Sequence, residues 1–159
     1  MSGASESDYT STEVAAIIGW RYVRNNKSTW LLSQVADEFG LHRETVKHVF
    51  DKLEPVIAME SRMTVTACGE DQWQPMRECV LSGQPIPANG KALSSQAGAF
   101  VIACYLARQR WAENSELANL VRWDTHRTAQ VVFYKMRLLP IVRYSRRGPG
   151  AETLWVVMN

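Results

Sequence analysis

Residues 32 to 53, LSQVADEFGLHRETVKHVFDKL, leave the backbone few alternatives. Val35 and Ala36 fall on a first short helix, and the small side chain of Ala36 lets a second helix cross closely over it. Gly40 follows Phe39 at the helix end, where a left-handed conformation is needed and a β-carbon is costly. Leu41 then plugs the corner. From Arg43 to Leu53, the apolar residues Val46, Val49, Phe50 and Leu53 recur at helical spacing and make one stripe to be buried. The opposite face holds Arg43, Glu44, Lys47, His48 and Asp51. The pattern predicts two short helices joined by a tight turn, the first anchoring the second, whose polar face is left outward.

The same pattern recurs. GLHRETVKHVFDKL at 40–53 aligns without gaps against WDTHRTAQVVFYKM at 123–136, with Thr, Val, Phe and Lys coincident. The apolar stripe is reproduced as Ala129, Val132, Phe133 and Met136, and Leu117 and Ala118 stand where Val35 and Ala36 stood if one extra residue is placed in the turn. Each copy follows an apolar helix. In the first, Thr10 and Glu13 form a capping box before EVAAIIGWRYVRN, with Val14, Ile17, Ile18 and Tyr22 inward. In the second, SSQAGAFVIACYLARQRW puts Ala97, Phe100, Val101, Cys104 and Tyr105 on one face. Trp30 and Trp111 lead into the two motifs. Trp20, Trp30, Trp111, Trp123 and Trp155 are expected to fill cores, leaving Trp73 free for an interface.

After Met136, β-rich PIVRYS, a Gly-Pro-Gly turn and β-rich TLWVV predict a hairpin with Arg143 on its first strand and Arg146 and Arg147 at its tip. After Leu53, EPVIAMESRMTVTA reads as a shorter, nearly uncharged hairpin turning near Glu60 to Arg62. The expected fold class is mainly α with small β-hairpins (α+β). The expected organisation is a disordered tail at 1–10, a first domain at 11–67, a linker with a short helix from Pro75 to Leu81 at 68–93, and a second domain at 94–159.

Charge is divided unevenly. Through Gly83 there are eight Lys or Arg against twelve Asp or Glu; from Gln84 onward there are ten against four, so a net +2 conceals a basic C-terminal half. No apolar run approaches a membrane span and no apolar signal core opens the chain, which suggests a cytoplasmic protein without membrane partners. Cys68, Cys79 and Cys104 are odd in number and lack a CxxC or a matching histidine pair, so neither a disulfide framework nor a zinc site is suggested. No nucleophile–base pairing, phosphate-cradling glycine loop or metal cluster is evident, and neither catalysis nor a cofactor is expected.

Through Val35-Ala36, Gly40-Leu41, Thr45-Val46 and the ribbon ending in Leu154 to Val157, the chain resembles the winged helix-turn-helix superfamily of bacterial, phage and plasmid transcription regulators, with two domains in tandem. The resemblance implies that the second helix of each pair enters a major groove of double-stranded DNA, in a nucleoid-associated regulator. Base readout would fall to Arg43, Lys47 and His48 in the first copy, and to Thr125, His126, Arg127, Gln130 and Tyr134 in the second, with Glu44 also on the exposed face. Arg127 suits a guanine edge and Gln130 an adenine edge. His42, Arg143, Arg146 and Arg147 would contact phosphates. The acidic N-terminal half is a candidate surface for RNA polymerase or another regulator, and a homodimer is compatible. Two alternatives accompany this reading: a plasmid or phage replication or partition initiator, and a winged-helix protein-interaction adaptor.

Overall fold

The computed structural model describes residues 9–25, 30–53, 61–65, 71–75, 91–145 and 152–158. Within that set the fold is α+β, mostly helical, with two small antiparallel sheets. The elements run α1 (Ser11–Asn25), β1 (Trp30–Leu31), α2 (Leu32–Phe39), α3 (Arg43–Leu53), β2 (Ser61–Val65) and β3 (Asp71–Pro75). The order then repeats as α4 (Ser95–Gln109), β4 (Trp111–Glu113), α5 (Asn114–Val121), α6 (Thr125–Lys135), β5 (Ile141–Ser145) and β6 (Thr153–Val157). No helix among the described residues is long and apolar enough to cross a membrane.

The capping box expected at α1 is present: the Thr10 N–H donates to Glu13 Oε1 (2.9 Å) and the Glu13 N–H to Thr10 Oγ1 (3.2 Å). Thr10 is therefore a cap and Tyr9 packs against the core, so neither belongs to the tail expected at 1–10; residues 1–8 lie outside the described set. Ser94 caps α4 by accepting from the Ala97 N–H (3.2 Å).

Burial of these two helices exceeds what one apolar face would give. Residues 13–20 of α1 and 97–107 of α4 are buried on all sides. The cause is mutual: α1 and α4 pack most extensively against each other, and each also touches both α3 and α6. Both halves consequently contribute to one continuous core that includes Ile17, Ile18, Phe100, Ile102, Leu106 and Leu117. Gly19 permits the close approach, because a β-carbon there would sit 2.6 Å from the Phe100 carbonyl oxygen. Polar contacts among the described residues also join the halves. Gln96 Nε2 donates to the Val49 carbonyl (3.2 Å), and Arg137 Nη2 lies 3.3 Å from Oε2 of the buried Glu13.

The structure corrects the register of the internal repeat. Gly40 and Arg122 both end their helices in the left-handed region (φ 66° and 62°) and both donate their N–H to a residue four back, Ala36 and Ala118. Helices α3 and α6 likewise begin 82 positions apart, at 43 and 125, so no residue is inserted in the second turn. Thr128, fully buried, stands at the position of Val46, and Trp123 at that of Leu41. Phe133, matched by identity to the stripe residue Phe50, instead occupies the place of Asp51 and is 49% exposed. Val132 and Met136 are buried as expected, and Ala129 is half-buried. The side chains of Tyr22, Trp30, Val35, Phe50 and Leu53 lie outside what is described.

Strands β1 and β3 match β4 and β6 in this register, whereas β2 and β5 are offset by 80. In the order β1-β3-β2, Trp30 pairs with Trp73 and Trp73 with Met63; in the order β4-β6-β5, Ala112 pairs with Trp155 and Trp155 with Arg143. The C-terminal hairpin is the one anticipated, with β4 as an additional third strand. The first hairpin is displaced from its expected place: its strands flank residues 66–70, and β3 extends into the segment read as linker. Gly, Glu and Asp around 69–71 made the segment resemble a connector, whereas Trp73 marks the central strand. Trp73 thus belongs to a sheet and not to a linker. Trp20, Trp123 and Trp155 are buried, but Trp111 is 52% exposed because the register places Ala112, not Trp111, on the inner face. The remainder of the expected Pro75–Leu81 helix lies outside the described residues.

Candidate nucleic-acid interface

Helix α6 is held by a chain of hydrogen bonds that starts in the sheet. The Trp155 indole N–H donates to Asn114 Oδ1 (3.1 Å), and Asn114 Nδ2 donates to the Thr125 carbonyl in the first turn of α6 (2.8 Å). Asn114 is buried, so its side chain ties the sheet to the first turn of α6 from beneath and fixes the angle at which α6 leaves the turn. Asp124 caps the helix by accepting from the Arg127 N–H (2.7 Å), and Thr128 Oγ1 donates to the Asp124 carbonyl (2.9 Å). Beneath the helix, the Trp123 indole N–H donates to the Leu93 carbonyl (2.6 Å), and the ring lies where a β-carbon on Gly98 would come within 2.1 Å.

The outer stripe follows helical spacing. His126, Gln130 and Tyr134, four residues apart, are exposed along α6, with Thr125 at its start and Phe133 beside Tyr134. The equivalent stripe of α3 is Glu44, His48 and Lys52, with Arg43 at its start, all exposed; Lys47 is half-buried. His42 is exposed just before α3. Arg43, His48, Thr125, His126, Gln130 and Tyr134 are therefore accessible together on two outward helix faces.

Arg127 is placed differently. Its guanidinium lies 4.3 Å from the Trp123 ring centroid and Nη2 donates to Ser95 Oγ (2.9 Å), so the side chain folds back onto α4. In this conformation it braces α6 and does not project from the outer stripe. The identity-based alignment put Arg127 beside Glu44, whereas the backbone equivalence makes it the counterpart of the half-buried Thr45.

The edge strand β5 lies alongside. Arg143 is exposed on it, with its guanidinium carbon 6.0 Å from the Phe133 ring centroid. Arg146 and Arg147 lie outside the described residues. Sequence reasoning missed Asn114, whose role depends on a partner 41 residues away, and Lys52, whose exposure follows directly from its i+4 spacing to His48. It also missed Phe133, which the shifted alignment had assigned to the core.

The two helices differ in charged-residue content. Across α6 there are Arg127 and Lys135 and no acidic residue; across α3, Arg43, Lys47 and Lys52 are set against Glu44 and Asp51. Among the described residues no group of His, Cys, Asp and Glu is arranged to hold a metal ion. No protein-family model, curated protein or solved structure matches the chain.

Proposed function

We propose that this chain is a sequence-specific double-stranded DNA-binding regulator of transcription, built as two winged helix-turn-helix units in one polypeptide. The observation that carries the reading is the outward stripe Thr125, His126, Gln130 and Tyr134 on a helix without acidic side chains, next to an edge strand bearing Arg143. A helix of this kind fits a major groove with its N-terminal residues against base edges, while the ribbon beside it meets the sugar-phosphate backbone. Gln130 has the donor and acceptor needed for an adenine edge, and Arg143 supplies charge without sequence preference.

The duplicated architecture supports the same reading. A dimeric regulator presents two equivalent helices to successive major grooves; here α3 and α6, both carried on the α1–α4 pair, provide two in one chain. Their unequal charge makes α6 the principal reader and α3 the weaker one, since the exposed Glu44 opposes phosphates. Arg127 assists by holding α6 against α4, a positioning role in place of base contact.

Selection of bound fragments from a random duplex library, followed by footprinting, tests the proposal. A defined motif should emerge, with affinity that falls steeply with salt. Gln130→Ala should relax discrimination at one or two base pairs, at about 1–3 kcal/mol, and Arg143→Ala should weaken all duplexes alike and flatten the salt slope. Salt-resistant capture of a protein partner with no duplex binding would replace this reading with the adaptor one.

A further inference from the structure

Phe133 has no evident place in groove reading. It is 49% exposed, its neighbour Tyr134 is 58% exposed, and the two rings meet edge to face with centroids 4.8 Å apart at 87°. Arg143, from the adjacent strand β5, lies over the Phe133 ring. A single exposed aromatic is ordinary on a protein surface. Two in contact, with a guanidinium reaching one of them from a different element, make a platform that combines a π-face with positive charge. That combination suits a planar aromatic group attached to an anion, which is the chemistry of an unpaired nucleotide.

Charge complementarity favours this occupant over an apolar partner. Arg143 lies at the platform, α6 carries no acidic residue, and the C-terminal half of the chain has ten Lys or Arg against four Asp or Glu. In a fully paired duplex the bases are stacked on one another and offer no free face, so the platform would engage only where the helix is opened.

We infer that Phe133, with Tyr134 and Arg143 beside it, is a stacking site for an unpaired base, through which the C-terminal half holds locally melted DNA. The inference rests on the DNA-binding reading and extends it: groove contacts from α6 locate the site, and the Phe133 platform captures a base released from the adjoining stack. Base–aromatic stacking depends little on sequence, so this contact adds affinity for opened DNA without adding a base preference.

The test uses the full chain and three labelled probes of one sequence: a perfect duplex, the same duplex with a short central bubble containing 2-aminopurine, and the single strand. The bubble should bind at least about fivefold tighter than the perfect duplex, and binding should quench 2-aminopurine emission. Phe133→Leu should remove both the preference and the quenching while leaving perfect-duplex affinity unchanged, and Phe133→Trp should retain them. Circular dichroism checks that both variants fold. Equal affinity for bubble and perfect duplex, or a preference that survives Phe133→Leu, would overturn the stacking site and leave the groove reading intact. Failure to bind any probe would overturn both.

Discussion

Several single residues act through their neighbours. Gly98 leaves the space into which the Trp123 indole fits, and Gly98→Ala should destabilise the fold by about 1–3 kcal/mol, read as a lowered urea midpoint. Arg122 invites the opposite change. It holds φ 62° with no glycine to relieve the β-carbon, so Arg122→Gly should leave stability unchanged or raise it by up to about 1 kcal/mol, even though it loosens the unfolded chain. Cys104 is sealed in the α1–α4 contact, where its thiol is 3.6 Å from the Gly19 carbonyl, and burial pushes its pKa far above the usual value near 9. The Tyr105 hydroxyl donates to Glu116 and is pushed up to about 12, chiefly by burial and then by that carboxylate. Both groups have raised folded-state pKa values, so the stability they contribute is complete below their unfolded values and is lost as pH climbs beyond them. Urea midpoints should therefore fall above about pH 9, with the earliest part of that loss absent in Cys104→Ala. Alkylation mapped by mass spectrometry should reach Cys104 only in denaturant.

At the level of elements, the helix pairs were legible in the sequence because local rules govern them. Val46 and Val49 are buried at the spacing read from the pattern, Gly40 takes the left-handed position, and Thr10 and Glu13 make their reciprocal cap. The second copy was legible as a helix pair but not in register. Coincident Phe and Lys identities favoured one alignment, while backbone caps at Arg122 and Asp124 enforce another, displaced by one residue. That single displacement moves Phe133 from core to surface and sets the Arg127 guanidinium against Trp123 and Ser95, which is why the candidate site was only partly legible. Short strands such as β1 and β4 carry too few residues to show alternation. The cap of α6 offers a direct probe: Asp124→Ala should cost about 1 kcal/mol, measured by thermal or urea unfolding, and weaken duplex binding through fraying of Thr125 and His126.

At the scale of the whole molecule, the main departure from expectation is that α1 and α4 are enclosed by both halves and not only by their own. A segment's periodicity reports how much apolar surface it has, not which distant segment covers it. Because the core is continuous, unfolding should be a single cooperative transition in which far-ultraviolet circular dichroism and tryptophan fluorescence coincide. Gly19→Leu, which drives a large side chain into the Phe100 backbone, should disrupt both halves together. The same enclosure holds the two outward helices against a shared pair, since both α3 and α6 touch α1 and α4.

Whether α3 and α6 both enter grooves of DNA can be read by hydroxyl-radical footprinting of the full chain on its selected duplex. Protection should appear on one face of the helix over two stretches about 10 bp apart, with the stretch assigned to α6 lost in Gln130→Ala combined with Arg143→Ala. A chain that leaves every duplex unprotected at low salt, or whose protection is indifferent to those two substitutions, would contradict groove entry.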